Sequence, residues 1–293
     1  MNGYDTFDVT VPGGDLRVGR WTAADPEAPV VVAAHGVTAN HRTWKLVGEQ
    51  SGFTVVAPDL RGRGRSGDLR GGAGMWRHAD DLLAVLDHLG LDRAVLAGHS
   101  MGGFVATAFA HRHPDRTAAM VLLDGGLPLP APPPGTDPEQ ALAATLGPAA
   151  TRLTMTFASS EDYLAYWRPH PALSQHWGPQ VEDYLAYDLV GEPPELRSSV
   201  SLAAVEDDSR DLLDEATIDD RAGRCPQGTV FLRVGYGLLA EPGGLYPPDL
   251  LAQHARRYPH LEIRQLEDVN HYTLLLAHSG AAAVTKLIEE VVR

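Results

Sequence analysis

Six residues, Gly98-His99-Ser100-Met101-Gly102-Gly103, join an apolar run of strand length, Arg93–Ala97, to a small-residue run of helical length that begins at Gly102 and ends at His111. A serine on so sharp a strand-to-helix turn has a strained backbone. Bulky residues two positions before and two after it would collide, which accounts for Gly98 and Gly102. The turn lifts the Ser100 hydroxyl above the carboxyl edge of a sheet. The bland alternative is an ordinary glycine-rich turn, and the flanking strand and helix speak against it.

The rest of the chain supplies such a sheet. Val30-Val31-Val32-Ala33-Ala34 and Phe53–Ala57 are continuous apolar runs, as strands buried on both faces read. Ala118–Leu123, Thr229–Val234 and Leu261–Leu266 have the same character, and Phe7–Val11 and Leu16–Trp21 form a pair split by Pro12-Gly13-Gly14. Leu82, Leu83, Val85, Leu86 and Leu89 have helical spacing within His78–Gly90, and a last helix spans about Ala281 to Val292. Alternating strands and helices predict an α/β fold, a mostly parallel sheet with helices on both faces. After Asp124 the alternation stops. Leu127–Gly135 is rich in proline, and the stretch beyond it is helical and aromatic. The expected organisation is a core of residues 1–126 and 226–293, interrupted by a helical cap of residues 127–225.

Composition narrows the partners. A net charge of −14 opposes binding to nucleic acid or to an anionic membrane. No run approaches the ~18 apolar residues of a membrane span, and Met1–Val11 lacks the pattern of a secretory leader, so a cytoplasmic protein is expected. The single cysteine, Cys225, reads as a spare small residue. His111-Arg112-His113 and His170 lack a convincing set of further ligands, so neither metal nor cofactor is expected. Oligomeric state is not legible.

Acyl transfer needs a base and two donors for the oxyanion. His271 stands out among thirteen histidines because it follows the last strand and precedes Tyr272-Thr273 and a helix. That places it on the same sheet edge as Ser100; the competing reading is a surface or capping histidine. His99 is expected to point elsewhere. The expected donors are the Met101 N–H, at a helix N-terminus, and the Val37 N–H, in the loop opened by His35-Gly36.

With these pieces the chain resembles the α/β-hydrolase superfamily, in the capped branch of lipases, esterases, lactonases, haloalkane dehalogenases and carbon–carbon bond hydrolases. The matching pieces are His35-Gly36, Asp59-Leu60-Arg61-Gly62-Arg63-Gly64-Arg65-Ser66, the Ser100 turn and the His271 loop, in family order. The resemblance implies an α/β-hydrolase fold and a serine esterase or lactonase that forms an acyl-enzyme on Ser100. The Asp59–Ser66 segment reads as structural, with Arg61 and Arg65 tying loops together. Serine at the turn argues against dehalogenase and epoxide hydrolase chemistry, where relatives carry aspartate.

One position departs from the family. Relatives usually carry the acid of the triad shortly after the penultimate strand, where this chain has Leu238. Asp124 is the favoured substitute, Glu241 the alternative, and Asp268 a weaker one. Trp167 and Trp177 of the insertion are candidates to face substrate, against the plainer reading that they are core of the cap. Three functions compete: ester or lactone hydrolysis; carbon–carbon cleavage or perhydrolysis on the same machinery; and a slow or non-catalytic ligand-binding relative.

Overall fold

The structure is a computed structural model and describes residues 2–131, 135–137, 140 and 144–293. Its sheet orders eight strands β1-β2-β4-β3-β5-β6-β7-β8. These are β1 (Gly3–Val11), β2 (Gly14–Thr22), β3 (Val30–Ala34), β4 (Thr54–Pro58), β5 (Ala94–His99), β6 (Thr117–Leu123), β7 (Val230–Tyr236) and β8 (Glu262–Asn270). β2 runs antiparallel to β1 and β4, and every other neighbouring pair is parallel. β1 begins four residues before its expected start. Its outer half is exposed, so it lacks the alternation that marks a strand, and pairing with β2 holds it.

The faces of the sheet follow from alternation along the strands. Val32, Ala34, Leu96 and Leu122 pack against Leu82 and Leu86 of α2 (Met75–His88) and Phe104 and Val105 of α3 (Met101–Arg112). Val31, Ala33, Val95 and Val121 face Val47 of α1 (Lys45–Gln50) and Val284, Leu287 and Ile288 of α9 (His278–Val291). Helices therefore cover both faces.

Between β6 and β7 the chain adds no described strand to this sheet. It forms α4 (Ser160–Trp167), α5 (Pro179–Asp188), α6 (Leu202–Leu212) and α7 (Glu215–Gly223). It also forms a two-residue antiparallel ladder, Leu189–Val190 with Arg197–Ser198, that the sequence reading lacks. Pro132–Pro134 of the proline-rich stretch lie outside the described residues. α8 (Pro248–Arg257), between β7 and β8, is likewise absent from the sequence reading. Its inner side is short, with only Leu251 and His254 buried within the helix.

The strand order positions the site. From β3 the chain steps outward to β4, then returns to place β5 on the other side of β3. In open α/β sheets such a reversal leaves a crevice at the carboxyl ends of the strands. The loop after β3 and the turn after β5 both leave the sheet there. The register aligns their ends, with Ala34 opposite Gly98 and His99 opposite Leu123 of β6.

Candidate active site

Ser100 links β5 to α3 with φ +55° and ψ −125°, a conformation that side chains rarely adopt. Its N–H donates to the Leu123 carbonyl at 2.9 Å, which anchors the turn to β6. A Cβ on Gly98 would run into the Gly102 carbonyl, and a Cβ on Gly102 into the Ala34 carbonyl. The glycines are thus required by contact with backbone. Met101 opens α3, where a first-turn amide has no intrahelical acceptor.

Asp124 directly follows β6, is fully buried, and also has a positive φ, +49°. Its Oδ2 lies 2.7 Å from His271 Nδ1. The N–H of Val234 in β7, the strand between them, approaches Oδ1 at 3.4 Å. His271 directly follows β8, and its N–H donates to the Tyr236 carbonyl of β7 at 3.0 Å. β8 runs four residues past its expected end, with a register break between Leu266 and Asn270 that brings His271 to this edge.

Glu241 is not part of this group. It is exposed, and its Oε2 accepts from the Leu239 N–H of its own turn at 2.8 Å. Asp268 is exposed as well. Leu238 is buried and lines a cavity with Ser100, Val37, Met101 and Asp124. The cavity is narrow, about 40 Å³, and its remaining wall is mostly apolar, from Phe104, Leu129, Leu146, Leu212 and Leu245.

Trp167 and Trp177 are not among its lining residues. Trp167 is 2% exposed and packs with Phe157, Tyr163, Leu173 and Leu185 in the core of the helical segment. Trp177 donates its indole N–H to Glu182 at 2.7 Å, beneath the Arg168 guanidinium. Leucines form the wall instead, and their spacing along the chain carries no mark of that role.

His99 is closer to the site than expected. Its Nε2 donates to the His271 carbonyl at 3.0 Å, and the two rings lie 4.5 Å apart. Burial, reinforced by His271, holds its pKa well below the ordinary histidine value, so it is neutral. His35 is neutral too: burial lowers it to about 3, more than nearby Asp59 raises it. The Leu60 N–H donates to its Nε2 at 2.9 Å, so the proton sits on Nδ1, which donates to the Gly36 carbonyl at 2.8 Å. The Ala39 N–H donates to the same carbonyl at 3.1 Å.

The Asp59–Ser66 segment ties loops together. Asp59 accepts from the His41 N–H and Nδ1, the Arg65 N–H and the Tyr187 hydroxyl, all within 2.9 Å. Burial alone would raise its pKa, but His41 and the Arg65 N–H offset that and hold it at about 2. Arg61 pairs with Asp81 and donates to the Pro12 and Arg70 carbonyls, while Arg65 donates to the Tyr187 carbonyl. Buried Cys225 has its thiol pKa pushed up to about 12. Among the described residues no three His, Cys, Asp or Glu side chains gather as a metal ion would need, and no helix is long and apolar enough to cross a membrane.

The family model for the alpha/beta hydrolase fold matches residues 29–150. The chain is 36% identical over 125 residues to the bifunctional esterase/perhydrolase DCH of Acinetobacter calcoaceticus, covering 42% of this chain and 45% of that protein. It is 39% identical over 119 residues to lipase LipV of Mycobacterium tuberculosis, covering 39% and 43%. The match thus spans less than half of each relative's length. Among solved structures, E-2-(acetamidomethylene)succinate hydrolase superposes with a TM-score of 0.77 at 20% identity, over 98% of this chain and 100% of that one. That likeness shows the fold across nearly the whole chain, while the family match is confined to residues 29–150. The chain has the α/β-hydrolase fold, and its residues 29–150 match the family model for that fold.

Proposed function

We propose that the chain is a serine hydrolase of carboxylic esters or lactones, with Ser100 as nucleophile, His271 as base and Asp124 as the acid that orients it. The observation that carries the reading is the 2.7 Å contact between His271 and Asp124, beside a cavity that Ser100 and Asp124 both line. A carboxylate on Nδ1 leaves Nε2 as the basic nitrogen and stabilises the imidazolium. His271 takes the Ser100 proton as the oxygen attacks the carbonyl carbon. The tetrahedral oxyanion is held by the N–H groups of Val37 and Met101. Its collapse expels the alcohol, which takes the proton from His271, and water releases the acyl group by the same steps. Residues 127–225 act as a cap over a core of 1–126 and 226–293. The apolar wall suits an uncharged aliphatic acyl group.

A second reading is perhydrolysis, favoured by the similarity to an esterase/perhydrolase. Hydrogen peroxide then replaces water on the acyl-enzyme, and the product is a peracid. Turnover of p-nitrophenyl acetate and labelling of Ser100 by a fluorophosphonate test the shared machinery, and peracid formation on adding peroxide tests the second reading. Ser100→Ala is expected to abolish turnover and labelling with the fold retained. Undiminished turnover in that variant sinks the proposal.

A further inference from the structure

Three consecutive carbonyls after β3 are held in place. Gly36 is bound by His35 and Ala39, as described. The Val37 carbonyl accepts from Arg63 Nε at 2.8 Å, and the Thr38 carbonyl from Arg152 Nη2 at 2.7 Å. Both arginines are buried, and each is paired with a carboxylate from the segment between β6 and β7. Arg63 Nη1 lies 2.6 Å from Asp208 of α6, and Arg152 Nε lies 3.2 Å from Asp188 at the end of α5. Each carboxylate is anchored further. Asp208 accepts from the Gly74 N–H and His78, and Asp188 from the hydroxyls of Tyr163, Ser198 and Ser199.

Stability gives little reason for such an arrangement. A buried ion pair is often no more stabilising than apolar residues of the same volume. Position gives a better one. In a trans peptide the N–H points opposite to the carbonyl of the same unit. Tying down the Gly36 carbonyl and the next two therefore fixes the direction of the Val37 N–H, in a residue that lines the Ser100 cavity. A donor aimed at an oxyanion must be in place before the reaction, because small displacements are costly. Leu212, one turn beyond Asp208 on α6, lines the same cavity, so one helix both walls the cavity and holds the partner of Arg63.

We propose that Arg63 and Arg152 are positioning residues for the Val37 N–H, and that the Arg63–Asp208 pair and the Arg152–Thr38 bond make this position depend on the seating of residues 127–225. The proposal rests on the hydrolase reading above. Neither arginine touches the reacting atoms; each acts through the loop backbone.

The test compares Arg63→Met, Asp208→Asn and the double variant with the parent. The readouts are kcat and KM for a p-nitrophenyl ester, Tm, and amide hydrogen exchange at Ala39, whose N–H is bonded to Gly36. Arg63→Met is expected to lower kcat about 100-fold with KM nearly unchanged. It also lowers Tm, since Asp208 loses its cation. In the double variant Tm returns toward the parent value, while kcat stays low and exchange at Ala39 stays fast. Recovery of kcat together with Tm overturns the proposal, as does parental exchange in Arg63→Met. Should Arg63→Met not fold, Arg63→Lys, which keeps the charge and loses the fork, is read by kcat, KM and exchange at Ala39, where low kcat and fast exchange are expected and parental values of both overturn the proposal. If the parent neither turns over esters nor is labelled at Ser100, the hydrolase reading fails. The exchange arm then still decides whether the arginines hold the loop.

Discussion

His271 Nδ1 and Asp124 Oδ2 meet at 2.7 Å although 147 positions separate the two residues. Each stands at the carboxyl end of its strand, β8 and β6, and the shared neighbour β7 contacts both through the Val234 N–H and the Tyr236 carbonyl. The side chains are 4% and 0% exposed, so water competes little for the contact. Leu238, where the resemblance implies an acid, lines the cavity instead.

Asp124→Asn is expected to lower kcat by a factor on the order of 10⁴, the cost of the same change in the serine-protease triad, because the amide no longer selects the tautomer. Glu241→Gln is expected to leave kcat nearly unchanged, because that carboxylate caps its own exposed turn. Steady-state kinetics of the two folded variants decide the matter. A collapse confined to Glu241→Gln assigns the acid to Glu241.

The narrow leucine wall should limit acyl length. Leu212→Ala and Leu238→Ala are expected to raise kcat/KM for butyryl or hexanoyl esters relative to acetyl by about 10-fold, the scale of one or two methylene groups in an apolar pocket. Trp167→Phe, in the core of the helical segment, is expected to lower Tm and leave the preference unchanged. Equal effects of the leucine changes on short and long esters would count against the cavity as the acyl site.

Acid should destabilise the fold through its buried histidines. Burial lowers His35 to about 3 and, together with Arg152, lowers His170 to about 4. In the unfolded chain both titrate near ~6.5. Between those values the unfolded state binds more protons, so stability falls as pH drops below ~6.5, and goes on falling toward the folded pKa values. The slope is on the order of 1 kcal/mol per pH unit for each histidine. Tm measured from pH 8 to 4 checks the direction; a Tm that holds steady from pH 7 to 5 contradicts it.

Much of the molecule was legible from local order in the chain. The glycines around Ser100, the apolar run before His35 and the strand before His271 each act over a few residues, through backbone sterics and alternation of burial. They suffice for the mostly parallel sheet and for the loops that carry Ser100, Val37 and His271. Strand ends were less legible where pairing alone holds the chain, as at Gly3–Thr6 and at the register break of β8.

Three matters belong to tertiary structure. Sequence could favour Asp124 over Glu241 but not settle which meets His271, because reach depends on strand order and on the positive φ that turns Asp124 at the end of β6. It could mark Trp167 as aromatic, but the packing of α4 with the rest of the helical segment turns that ring away from the cavity and leaves the wall to leucines. It could not pair Arg63 with Asp208 or Arg152 with Thr38, since such contacts join residues more than a hundred positions apart and leave no periodicity in the chain. A short-range steric rule can be read from neighbouring letters. A hydrogen bond between distant loops exists only once the sheet has set their ends side by side.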